Sequence, residues 1–284
     1  MRIRIAHALK GFSRSRIGFF GLVIILIFVF IAIFAPIIAP YNPESKYVGP
    51  PLSPPNSKNI LGTDDVGRDI FSLIIFGSRS VLTISLLAAS IGTILGTVIG
   101  LCSGYFGGIV DDILMRLTDI FLIIPFIPLA IALTLYFGPS MWNIILLFGF
   151  FGWPPAARQV RSQVLSLREA LYVEATRAIG ASDFYIIFKT IMPNVIGIVI
   201  ANVVMRTVFV IAAESGLALI GATDPRNISW GTLLFYAQRS GAIIRGAWWT
   251  FMPAGFCISL LACGFTFFGH GIMWFLNPRL QRQQ

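Results

Sequence analysis

Residues 17–39 carry no charged side chain, and five further apolar runs follow at about 81–104, 118–137, 141–157, 193–222 and 246–274. A helix that crosses a bilayer needs about 20 mostly apolar residues. A soluble core has no room for so many stretches of that length, and with 56% hydrophobic and only 12% charged residues the natural solvent for this chain is lipid. The expected fold is an all-α integral membrane protein with six transmembrane helices.

The net charge of +9 does not indicate nucleic acid. The basic residues lie between the apolar runs, where they report orientation. With six spans, thirteen Lys and Arg fall on the side of the two termini and seven on the other, Arg206 lying inside span five. The excess places both termini in the cytoplasm of a plasma membrane. Span one is too long for a signal-peptide core and has no small-residue cleavage site, so it reads as an uncleaved anchor behind Arg2, Arg4, Lys10, Arg14 and Arg16. Cys102, Cys257 and Cys263 sit in apolar runs and read as small hydrophobes, and no metal-binding spacing occurs.

The chain divides into an N-terminal arm with the first span (1–40), an external loop with an amphipathic helix (41–79), a five-helix core (80–274) and a cytoplasmic tail (275–284). In the external loop, Thr63 is the expected N-cap of a short helix over Asp64–Ser78. In span two, Gly92, Gly96, Gly100 and Gly104 recur every fourth residue and leave one helix face bare. That stripe suits either a tight internal contact or a sliding seam.

Inside span five, Arg206 and Glu214 stand eight residues apart, near one helix face. A central charge costs ~2.5–3.5 kcal/mol on insertion scales, so both must meet protein or water. They read as a structural polar pair, as contacts with a partner, or as lining of a pathway. Trp230, Tyr236, Trp248 and Trp249 read as an interfacial aromatic belt, or as a stacking surface for sugars or a contact with an external protein. Asp111 and Asp112 read as helix-capping groups, with no nucleophile or metal set beside them.

The polar loop 165–193, between spans four and five, is the most informative segment. Leu171, Ala175, Ala178 and Ile179 form a helical stripe, Gly180 suits the left-handed residue after a helix, and Ser182 can cap a second short helix opened by Asp183. Pro193 suits the first turn of span five. By periodicity alone, this helix–turn–helix is either a cap on the bundle or a docking element.

The loop resembles the EAA loop of ABC importer permeases. Glu174, Ala175, Gly180 and Pro193 match that pattern in identity and spacing; Thr176, Thr190 and Met192 depart from it mildly. LGTDDVGRDIFS at 61–72, GYFGGIVDDILMRLTD at 104–119 and NPRL at 277–280 are similar to segments of the dipeptide/oligopeptide permease subfamily. The resemblance implies a type I ABC importer permease fold with a cytoplasmic coupling helix. It also implies a second homologous permease, two ATP-binding subunits holding ATP and Mg, an external solute-binding protein, and peptide cargo. Oligosaccharide, nickel or another small solute is the alternative cargo.

The docking contact is then expected at Glu174–Tyr185. Glu174 and Arg177 would supply polar contacts, Ala175, Ala178 and Ile179 apolar ones, and Gly180 the angle to an arm formed by Ala181, Ser182, Asp183 and Tyr185. No G-x-x-x-x-G-K-[ST] phosphate loop occurs in the sequence, so the chain is not expected to be an enzyme or to hold a cofactor. An intramembrane hydrolase would need a paired Asp or Ser/His set in the spans. An ion-coupled carrier would favour inverted repeats. Neither pattern is evident in the sequence.

Overall fold

The computed structural model describes residues 15–276; within them every regular element is a helix, with a single isolated β-bridge between Thr63 and Asp69. The basic arm before Ser15 and the NPRL tail lie outside the described residues.

Helix α1 (Arg16–Ile33) starts where the Ser15 hydroxyl accepts the Gly18 N–H at 3.2 Å. Pro36 lies in the first turn of the short α2 (Ala35–Ile38), which turns the chain out of the bundle. Residues 41–69 form an irregular, tied-down loop. Its Asp64 carboxylate accepts the Val66 and Arg68 N–H groups and the Arg68 guanidinium at 2.6 Å. The expected helix capped by Thr63 is therefore replaced by a turn, with Gly67 at φ +74°. Asp69 is the real N-cap, accepting from the Ser72 N–H and hydroxyl at 2.8 Å.

From there α3 (Ile70–Phe106) runs 37 residues without a break. The amphipathic helix and span two are one element, because Ser78, Arg79 and Ser80 contain no helix breaker. Span three is also different from the expectation. It is two helices, α4 (Gly108–Ile123) and α5 (Phe126–Phe137), bent by 81°. Pro125 forces Ile124 out of the helical region, to φ −68° and ψ 121°. Span four likewise breaks at Gly152–Trp153, between α6 (Met141–Phe151) and α7 (Pro154–Arg168), where Pro154 restarts the helix.

After α8 (Leu171–Ala178), α9 (Asp183–Leu219) is continuous. It begins with one turn, widens to a π-helix at Ile186–Ile191, and returns to α-helix at Met192, with Pro193 in that first turn. The second arm of the loop is thus the foot of span five itself. Helix α10 (Trp230–Arg239) carries a capping box made by Ser229 and Thr232. A 3-10 turn at Trp248–Thr250 leads into α11 (Met252–Leu276).

Among the described residues, four helices are long and apolar enough to cross a membrane, and the bent α4–α5 pair makes up to five. The sixth expected span is the broken α6–α7 segment, whose α6 has only 11 residues. Helices α1 and α11 pack backbone to backbone: a Cβ on Gly21 would lie 2.5 Å from the Gly264 carbonyl. The core gathers Phe28, Leu73, Ile211, Trp230 and Leu261 around α3.

The glycine stripe lies against the α6–α7 segment. Gly96 lies under the Trp153 carbonyl and Gly100 under that of Ala157, where a Cβ would come within 2.5 and 2.6 Å. Gly92 faces Gly149 and Gly152, and Gly104 faces Val164. The stripe therefore seats α7 along α3 as closely as two backbones allow.

Candidate functional site

The loop of interest is built outward from a small apolar core. Val173 of α8 is fully buried with Leu101, Val160, Val164, Ile186, Ile187 and Val195, which pins the helix to α3, α7 and the foot of α9. The other face of α8 is bare. Leu171 and Ile179 are 83% and 84% exposed, and Phe184 just beyond is 72% exposed. Glu174, Ala175 and Ala178 share that open surface with Ser182, Asp183 and Tyr185, and Ala181 is half-buried.

The turn between the arms follows from Gly180. Its φ of +83° lets its N–H reach the Arg177 carbonyl at 3.0 Å and the Ala181 N–H reach that of Thr176 at 3.3 Å. Ser182 then accepts the Tyr185 N–H at 3.4 Å, capping α9. Nothing lies within 4 Å of a Cβ built at Gly180, so its role is conformational.

Both arms converge on one residue that sequence reasoning passed over. Tyr105, at the end of α3, donates its hydroxyl to Asp183 at 2.6 Å, and the Arg177 guanidinium sits over its ring at 5.8 Å. Arg177, expected as an outward polar contact, thus leans onto the scaffold. Further struts tie the same end together. Arg161 of α7 holds Asp111 of α4 with two hydrogen bonds of 2.5 Å, and Ser103 donates to the same carboxylate. Arg168 reaches the Gly104 carbonyl at 3.3 Å. Asp111 lies in the first turn of α4, but its main task is this ion pair. On the foot of α9, Phe184 and Phe188 lie four residues apart with ring centroids 4.5 Å apart and a 39° tilt.

Elsewhere the structure separates the expected Arg206–Glu214 pair. Eight residues span about 12 Å of helix, and each group has a nearer neighbour. Glu214 accepts from the Ser229 hydroxyl at 3.0 Å, while Arg206 reaches the Phe148 carbonyl at 3.4 Å and stacks on Phe209 at 5.0 Å. Of the expected aromatic belt, only Trp230 leaves the surface. Trp230 is fully buried and donates to the Ile74 carbonyl at 2.9 Å, and Trp249 donates to that of Thr63 at 3.2 Å. Trp248 is half exposed, and the Tyr236 hydroxyl is held by the Pro225 carbonyl. Among the described residues no group of three metal-ligating side chains occurs.

Residues 92–282 match the family described as the binding-protein-dependent transport system inner membrane component. The chain belongs to this family. Residues 5–55 of the permease also match the N-terminal transmembrane domain of oligopeptide transport permease C. The permease is 36% identical over 282 residues to the dipeptide transport system permease protein of Alkalihalophilus pseudofirmus, covering 97% of this chain and 90% of that one. It is 33% identical over 277 residues to the oligopeptide transport system permease protein of Bacillus subtilis, covering 97% and 90%. The D,D-dipeptide permease protein of Escherichia coli, itself named as probable, is 33% identical over 264 residues, covering 92% and 87%. By these matches the chain is a multi-pass membrane subunit of an importer of the dipeptide/oligopeptide permease type.

Proposed function

We propose that this permease passes di- and oligopeptides inward from an external solute-binding protein, and that α8 is the coupling helix through which separate ATPase subunits drive it. The complex in this reading holds a second homologous permease and two ATP-binding subunits, which carry ATP and Mg. The termini and the α8 end face the cytoplasm, and the broken α6–α7 segment completes six spans. Support for the cargo comes from the names of the relatives, which are dipeptide and oligopeptide permeases.

The observation that carries the coupling role is an apolar knob on a stiff mount. Leu171, Ile179 and Phe184 each leave most of a large apolar side chain exposed, and exposed apolar surface of this kind marks a protein contact. Their helix is fixed to α3 through Tyr105 and runs through a tight turn into α9. A push on α8 therefore moves α9 as a rigid body and cannot be absorbed in a slack loop. Glu174, Ala175, Ala178 and Ile179 form the contact, and Gly180 sets the angle at which it is presented.

The test is disulfide trapping. An Ala175→Cys permease in the assembled complex should cross-link to a cysteine placed on the ATPase subunit, with a yield that changes with nucleotide. If Ala175→Cys in sealed cells is labelled by a membrane-impermeant reagent from outside, the orientation and the docking role both fail.

A further inference from the structure

Span five carries its arginine at mid-height. Arg206 lies 14 residues beyond Met192 in a stretch that ends at Leu219, about 21 Å along the axis at 1.5 Å per residue. Its guanidinium has five N–H donors, yet among the described residues it meets no carboxylate, and its Nε is buried with no partner. Two more orphans stand beside it: the Asn202 Nδ2, one turn below on the same helix, and the Thr93 Oγ1 on α3. All three residues line one cavity of about 380 Å³. The remaining wall is chiefly apolar and aromatic, including Phe121, Phe151 and Phe209, with Gln159 as its other polar side chain. Among the described residues, no acidic one lines it.

This is the composition of a ligand site: an apolar cavity with a few convergent polar groups. Buried donors without partners are costly, and three around one cavity call for an acceptor that enters it. A cation stacked on Phe209 and two neighbouring donors specify an anion with two acceptor oxygens. We propose that Arg206, Asn202 and Thr93 form a carboxylate subsite at mid-membrane, which receives the C-terminal carboxylate of a peptide in transit. The proposal rests on the peptide-import reading above.

The same chemistry could come from an acidic side chain of the neighbouring permease, and the experiment separates the two sources. Reconstituted complexes are given one peptide as the free acid and as the C-terminal amide, and the ratio of the two import rates is measured for the wild type and Arg206→Gln. The binding protein is identical in both, so its own preference cancels. The expected result is a fall in the acid-to-amide ratio of about tenfold, the size of a lost charge-assisted hydrogen bond, with amide import retained. Asn202→Ala, which keeps the charge, should lower the ratio by less and serves if Arg206→Gln impairs expression. An unchanged ratio overturns the proposal. Loss of co-purification with the second permease in Arg206→Gln also overturns it, because the carboxylate then belongs to that subunit. If the wild type imports neither peptide form, the peptide-import reading fails and this inference with it; if it imports both and the ratio is insensitive to Arg206, only the inference fails.

Discussion

The hydroxyl of Tyr105 donates to the carboxylate of Asp183 at 2.6 Å, across 78 residues of sequence. One end of this bond is the last turn of α3 and the other is the first turn of α9. Two long helices are thereby joined at the point where the exposed knob is mounted. Removing only the hydroxyl, in Tyr105→Phe, should cost about 1 kcal/mol of stability and leave insertion intact. Its larger effect should fall on coupling: fewer peptides imported per ATP hydrolysed by the reconstituted complex. An unchanged ratio would show that Tyr105 serves packing alone.

Gly180 is the second lever. A β-branched residue at φ +83° is strained by about 1–2 kcal/mol whatever the space around it. Gly180→Val should insert normally but abolish import and ATPase stimulation, because the knob is presented at the wrong angle. Gly180→Asn, which tolerates the left-handed region, should retain most activity. Normal transport by the valine variant would remove the central support for the docking model.

The glycine stripe makes a sharper stability prediction. Gly100→Leu places a side chain against the Ala157 carbonyl and the Val160 Cβ, both within 3 Å of the new Cβ. The helices must separate, so folded yield in detergent and melting temperature should drop severely. Gly255→Ala is the control. Nothing lies within 4 Å of its added methyl and its φ is not positive, so yield should match the wild type.

The Arg161–Asp111 pair permits a charge swap. Arg161→Glu leaves two carboxylates face to face in a half-buried setting and should depress folded yield. Combining it with Asp111→Arg should restore much of the loss, which a double-mutant cycle on thermal stability would measure. Failure of the double variant to recover would assign Arg161 a role outside this pair.

Gly152 offers a way to move the Arg206 guanidinium without touching its charge. The Gly152 backbone has φ −92°, which alanine adopts freely, but a Cβ there would overlap the Arg206 Nη2 and the Phe148 carbonyl. Gly152→Ala should therefore shift the guanidinium from its place and lower the acid-to-amide import ratio. Equal ratios in this variant and the wild type would mean that the guanidinium is free to relocate.

The sequence alone determined what depends on composition and local backbone chemistry. Lipid as solvent follows from apolar runs that no soluble core can hide, and the Gly180 turn and Ser182 cap follow from backbone preferences that act within a few residues. The four-residue glycine spacing was legible as a packing face for the same reason. What only the tertiary structure decided was partnership at a distance and whether a helix breaks. Pro125 bends its chain by 81°, whereas Pro193 sits in an unbroken α9 because a π-helical turn and the helix start absorb its missing N–H. Arg206 and Glu214 share a face on paper, but each binds the backbone or hydroxyl that the bundle brings nearest. Trp230 reads as interfacial by type, yet Phe28 and the Ile74 carbonyl complete its burial from other helices. Which polar or aromatic group meets which is set by the packing of distant segments, and no local pattern encodes that.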